Sequence, residues 1–223
     1  MYAQPEPARH ILAWLNAPGW DAAVAAARPE HAPALARWRA QDWPLVVRRT
    51  DADVAEGVVC LGLPLPPDAE TGAKVRIPLR VQAAAHVARY SPAVEMHVAR
   101  RSAGALGERL AALCADAEGL DLRVFGSLAM QSLTGLPYLS PSSDVDVLLH
   151  PSSRSQLEAG VAALARHAAR LPLDGEIVFP GGQAVAWKEW QMAMTHPAKV
   201  MVKELRSVRL LDTAALLATL EQS

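Results

Sequence analysis

Cysteine is almost missing from this chain: of 223 residues, only Cys60 and Cys114 carry a thiol. They stand far apart in apolar surroundings, so both read as buried thiols, not as a disulfide or a metal site. A bias toward one sign of charge is missing too. Lys and Arg number 22 against 23 Asp and Glu, a formal net charge of −1. A general nucleic-acid binder is usually more basic, so that class ranks low. No apolar run approaches the length of a membrane span, and the opening MYAQPEPARH lacks the apolar stretch of a signal peptide. The expectation is a cytoplasmic protein with no membrane or nucleic-acid partner. Apolar residues, in contrast, make up 51% of the chain, enough for a sizeable core in one large or two small domains.

The most informative stretch is RVFGSLAMQSLTGLPYLSPSSDVDVLLH, residues 123–150. A short apolar run ends at Gly126-Ser127, and a helical segment over 128–133 is stopped by Thr134-Gly135. After a loop rich in Pro and Ser, a second apolar run alternates Asp144 and Asp146 with valines. Residues two apart on a strand share a face, so the two carboxylates point the same way, roughly 6 to 7 Å apart. Two acids at the edge of a buried strand repel each other and are costly to desolvate, and cations between them relieve both costs. Magnesium takes oxygen ligands and leaves room for substrate phosphates, so a nucleotide-handling metal site is the sharp reading. Gly-Ser before a helix also sets backbone N–H groups and a hydroxyl where a phosphate can sit.

The remaining segments frame this motif. Residues 11–15, 21–27 and 33–40 read as Ala-rich helices, with Asp21 capping the second and Trp14, Trp20 and Trp38 as packing anchors. Strands are predicted over 44–49, 57–63 and 74–80. The third presents Lys74, Arg76 and Arg80, either as a solvated face or as a contact surface for an anion. Helices are predicted over 81–88, 103–117, 154–170 and 212–220, the last capped by Asp212. Residues 171–179 and 183–190, around Pro180-Gly-Gly, read as a β-hairpin. The domain boundary is expected near residue 118. That gives an α+β amino-terminal domain over 1–118, for substrate or carrier-protein binding, and a catalytic domain over 119–223.

The order strand, Gly-Ser, helix, loop and Asp-x-Asp strand resembles the nucleotidyltransferase superfamily, which shares its palm with DNA polymerase β. That resemblance implies an α+β protein of two domains, the second a mixed sheet flanked by helices. It implies that Gly126 and Ser127 hold a triphosphate and that Asp144 and Asp146 hold two divalent ions, magnesium with manganese as an alternative. A third carboxylate belongs on a neighbouring strand, and either Asp174 or Glu176 suits; of these, Glu176 sits within the better strand as a metal ligand. Lys188 and Lys203 are the cations assigned to the triphosphate, ahead of Lys199, Arg206 and Arg209.

The wording FGSLAMQSLTGLPYLSPSSDVDVLL is similar to a narrower family, the malonate decarboxylase holo-[acyl-carrier-protein] synthases, or phosphoribosyl-dephospho-CoA transferases. RHILAWL, WPLVVRR, LGLPLP and DGEIVFPGGQAVAWKEW extend that resemblance over nearly the whole chain. The implied reaction moves phosphoribosyl-dephospho-CoA from triphosphoribosyl-dephospho-CoA to a serine of the apo acyl carrier subunit of malonate decarboxylase, releasing pyrophosphate. The alternatives are an NTP-dependent nucleotidyltransferase acting on another protein or small molecule, and a catalytically silent carrier-protein binding module.

Overall fold

The computed structural model describes residues 7–196 and 199–221. The first six residues of the opening stretch therefore lie outside the described residues. Contacts divide the chain into two units, one ending at Ala93 and one beginning at Val94.

In the first unit the order is β1 (Leu12–Leu15), α1 (Ala17–Ala26), α2 (Ala32–Ala40), β2 (Leu45–Val47), β3 (Val58–Pro64), β4 (Arg76–Gln82), a single helical turn α3 (Ala83–His86) and β5 (Val87–Ser91). The strands form one antiparallel sheet in the order β4-β3-β2-β1-β5. Strand β4 alternates strictly, burying Ile77, Leu79 and Val81 and exposing the residues between them, the signature of a sheet with one wet face. Where a helix was expected over 11–15 there is a strand. Its apolar run is continuous because β1 lies inside the sheet between β2 and β5, and periodicity alone cannot tell such a run from helix. Helix α1 consequently starts earlier than expected. Its cap is Asn16, which accepts from the Gly19 N–H at 2.8 Å, and Asp21 lies well inside the helix. Trp20 and Trp38 are buried anchors, while Trp14 is half-exposed, with the Arg89 guanidinium 3.6 Å from its ring centroid.

The second unit runs β6 (Val94–Glu95), α4 (Met96–Ala99), α5 (Gly107–Asp116), β7 (Asp121–Phe125), α6 (Gly126–Thr134), β8 (Val145–His150), α7 (Arg154–Ala168), β9 (Leu173–Val178), β10 (Ala184–Ala186), α8 (Trp187–Thr195), β11 (Lys199–Lys203), β12 (Val208–Asp212) and α9 (Thr213–Leu217). Its seven strands lie in the order β12-β11-β10-β9-β8-β7-β6, with β8 and β9 parallel and the other neighbours antiparallel. Val124, Val145, Val147, Leu149, Ile177, Val185, Val200 and Val202 enter one core with Leu110 and Leu113 of α5, Leu128 of α6 and Leu157 and Leu164 of α7. The division thus falls ahead of the expected position near 118. Helix α5 buries its apolar stripe in the second unit's core, so it is part of that unit and not a link into it.

Two glycines are fixed by close approach. A Cβ on Gly160 would strike the Leu149 side chain, so its absence lets α7 lie down on β8. Gly175, at φ +131°, would drive a Cβ into the Val147 backbone of the parallel partner strand. The 183–190 arm of the hairpin is a strand only at Ala184–Ala186, after which α8 begins. The architecture is α+β with a mixed sheet flanked by helices.

Candidate active site

Valines at 145 and 147 and Leu149 face the core, so Asp146, Leu148 and His150 face the other way. Register then decides what else shares that face. Asp146 is paired with Phe125 on the antiparallel strand β7 and with Asp174 on the parallel strand β9; Leu148 is paired with Glu176. Directly opposed residues project from the same side of a sheet. The face opposite the core therefore carries Asp146, Asp174 and Glu176. Asp144 lies one residue ahead of β8, exposed at its mouth, and is not within the strand as expected.

Gly126 opens α6 at φ +64°, and a Cβ there would overlap Oδ2 of Asp146. Only glycine tolerates both that backbone and that neighbour. Strand β7 can thus turn directly into α6 with the start of the helix against the carboxylate. The first-turn N–H groups of a helix have no intrahelical acceptor and carry partial positive charge, which suits an anion. No side chain caps this helix, and Ser127 sits half-buried in its first turn.

The two candidates for the third acid differ in environment. Asp174 is exposed, with Lys188 Nζ at 3.5 Å. Glu176 is 5% exposed and accepts a hydrogen bond from Lys203 Nζ at 3.0 Å. Each of the two lysines expected to meet a triphosphate therefore already touches a carboxylate of this face. Among the described residues, no group of three or more His, Cys, Asp or Glu side chains is gathered closely enough to hold a metal ion. What the region offers is Asp146 with Asp174 paired beside it, and the exposed Asp144 one residue ahead of the same strand. Magnesium commonly takes one or two protein carboxylates and completes its shell with water and substrate phosphate, so this donor set fits it.

Some of the expected basic surface in the first unit is occupied. Lys74 lies outside β4, and Arg80 is bound by Asp51 and Asp53, with Arg48 also paired to Asp51. Arg48 first and then Arg80 hold the Asp51 carboxyl well below the usual carboxylate range. Cys60 and Cys114 are free thiols, Cys60 buried and Cys114 partly so; burial pushes the Cys114 thiol up.

Sequence comparison supplies the family. Residues 92–214 match the model of the phosphoribosyl-dephospho-CoA transferase MdcG C-terminal domain, and residues 8–92 match that of its N-terminal domain. The chain belongs to this family. A phosphoribosyl-dephospho-CoA transferase of Xanthomonas campestris pv. campestris (strain 8004) is 38% identical over 213 residues, covering 93% of this chain and 95% of its own. One from Bradyrhizobium diazoefficiens is 38% identical over 213 residues, covering 92% and 90%. Another, from Xanthomonas axonopodis pv. citri, is 35% identical over 213 residues, covering 93% and 95%. No solved structure matches the chain. The MdcG-type chain is thus an enzyme, a transferase, and its two family domains meet where contacts divide the structure. Among the described residues, no helix is long and apolar enough to cross a membrane.

Proposed function

We propose that this transferase moves the phosphoribosyl-dephospho-CoA group of triphosphoribosyl-dephospho-CoA onto a serine of the apo acyl carrier subunit of malonate decarboxylase, in the cytoplasm, with pyrophosphate as the leaving product. The second unit is the nucleotidyltransferase palm and the first binds the donor's long arm or the carrier. The observation that carries the reading is Gly126 set against Asp146, with Asp174 in register beside it. A helix start and a row of carboxylates on one sheet face is the arrangement a phosphate and its counter-cations need.

Asp144 and Asp146 would hold magnesium, in two ions, and manganese could take its place. Bound there, the metal supplies positive charge against the triphosphate and lowers the pKa of the incoming hydroxyl. Ser127 and the first N–H groups of α6 bind the triphosphate and hold the reacting phosphorus still. The serine oxygen bonds to the phosphorus carried by the ribose, and the bond from that phosphorus to the pyrophosphate oxygen breaks. The serine proton passes to a carboxylate. Asp174 is favoured over Glu176, because Asp174 is exposed beside Asp146 while Glu176 is buried against Lys203. Lys188 neutralises charge on the departing pyrophosphate.

The test is to incubate apo carrier subunit with this protein, magnesium and each donor in turn, and to weigh the product intact. A phosphoribosyl-dephospho-CoA adduct with pyrophosphate release is expected, with ATP and UTP as poor donors. A shortened donor should lose turnover as well as affinity, since remote binding energy is used to position the reacting group. An AMP or UMP adduct as the main product would overturn the donor assignment.

A further inference from the structure

The loop that delivers Asp144 has no regular structure between the end of α6 and the start of β8. A loop of this kind would leave its first metal-binding acid free to wander, so something must fix it. Gln131, half-buried in the second turn of α6, makes three hydrogen bonds through one carboxamide. Its Nε2 donates to the Ser102 carbonyl at 2.6 Å, and its Oε1 accepts from the backbone N–H groups of Tyr138 and Leu139, both at 3.0 Å. An amide oxygen offers two lone pairs, and both are used here on consecutive loop residues. Further along, the Ser143 N–H donates to the Ser140 carbonyl at 3.0 Å and its buried Oγ accepts from the Ser140 N–H at 2.9 Å. That turn ends one residue before Asp144. The Val145 N–H then donates to the Pro172 carbonyl at 2.8 Å, which docks the mouth of β8 beside β9.

Helix α6 therefore reaches the candidate site twice. Its first residue, Gly126, bears on Asp146, and its second turn, through Gln131, holds the loop that brings in Asp144. We propose that Gln131 is a positioning residue: its carboxamide clamps the 136–143 loop to α6, so that Asp144 is presented on the Asp146 face in a fixed place. The proposal rests on the reading of Asp144 and Asp146 as the metal-holding pair. Gln131 touches neither donor nor metal in this role. It acts through the backbone of Tyr138 and Leu139, and the Ser102 carbonyl keeps its amide from rotating away.

Two substitutions separate the arms of the clamp. Gln131→Ala removes all three bonds, whereas Gln131→Glu keeps an oxygen to accept from both loop N–H groups and sets its second oxygen against the Ser102 carbonyl in place of the donor. Each would be compared with wild type for amide hydrogen exchange at Tyr138 and Leu139, for kcat and donor KM, and for the magnesium concentration giving half-maximal rate. In Gln131→Ala, exchange protection at both amides should fall about tenfold or more and kcat about 10- to 100-fold, while donor KM stays within about threefold. Half-saturation by magnesium should rise several-fold, a change that a merely structural role would not produce. Gln131→Glu should keep the protection and lose less kcat. The proposal is overturned if kcat and magnesium dependence are unchanged when protection is lost, or if neither variant folds. Asp144→Asn and Asp146→Asn, measured alongside, distinguish the two ideas. Full activity in both would remove the metal reading, and with it the positioning role given to Gln131, whatever the exchange data show. Their inactivity beside unaffected Gln131 variants would remove the clamp and leave the metal reading.

Discussion

Gly126 and Asp146 share one volume: the space a side chain would take on the glycine is filled by the aspartate's carboxylate oxygen. The backbone of Gly126 is also left-handed, at φ +64°. Gly126→Ala should therefore cost about 1–2 kcal/mol in backbone strain alone and push the carboxylate from its place. Thermal unfolding and initial rates check both parts, and the rate should fall by more than the loss of folded protein explains.

Removing charge from the acid row should separate the four carboxylates. Asp144→Asn and Asp146→Asn are each expected to lower transfer by about a thousandfold or more with the fold intact, since on the proposed reading each removes a charged metal ligand. Asp174→Asn should lower kcat as well. Glu176→Gln should act mainly on stability, weakening a pair with Lys203 that is buried on the glutamate side and open on the lysine side, at about 1–2 kcal/mol. Near-normal turnover in Asp146→Asn at unchanged stability would sink the two-metal mechanism.

Ser127→Ala should weaken donor binding more than carrier binding, because Ser127 stands at the start of α6. Charge reversal at Lys74 and Arg76, both exposed, should do the opposite if the first unit docks an acidic carrier. Titration calorimetry on each variant with each partner reads the difference. Equal losses of both affinities in both variants would refute this division of labour.

The first unit should also show an acid dependence traceable to Asp51. Arg48 and Arg80 depress its folded pKa below the unfolded value, so its contribution to stability is present above the ordinary carboxylate range. It is lost as pH falls from that range through the folded pKa. Wild type should exceed Asp51→Asn in stability at pH 6 and converge on it toward pH 2, as followed by denaturant unfolding at each pH. A gap that stays constant across that range would mean the pairing contributes nothing.

Much of the second unit was legible because its punctuation is local. Gly126, Gly135 and Ser153 mark turns and caps, and helices α5 and α7 carry clear apolar stripes. The strand that carries Asp146 was legible for the same reason, although it begins one residue after Asp144. Strand β1 was not, because an inner strand buried on both faces loses the alternation that distinguishes it from helix. Strand β11 was missed although Val200 and Val202 alternate with Lys199, Met201 and Lys203, a period of two that its lysines obscured. The choice between Asp174 and Glu176 depends on register across a parallel pair, which no local pattern encodes. Gln131 gave no signal at all, since its partners are backbone atoms, which any residue type supplies, in an irregular loop and at Ser102.

Asp146 and Asp174 meet only because α7 carries the chain back over the sheet to lay β9 parallel to β8. A hairpin could have joined neighbouring strands early, but a parallel pair must wait for its whole crossover to form. The acid row is therefore among the last things this chain can assemble. In refolding from denaturant, helical circular dichroism should return before transfer activity does. On the proposed reading, a partly folded chain would lack the carboxylate that accepts the serine proton, and so would not transfer before β9 is in place.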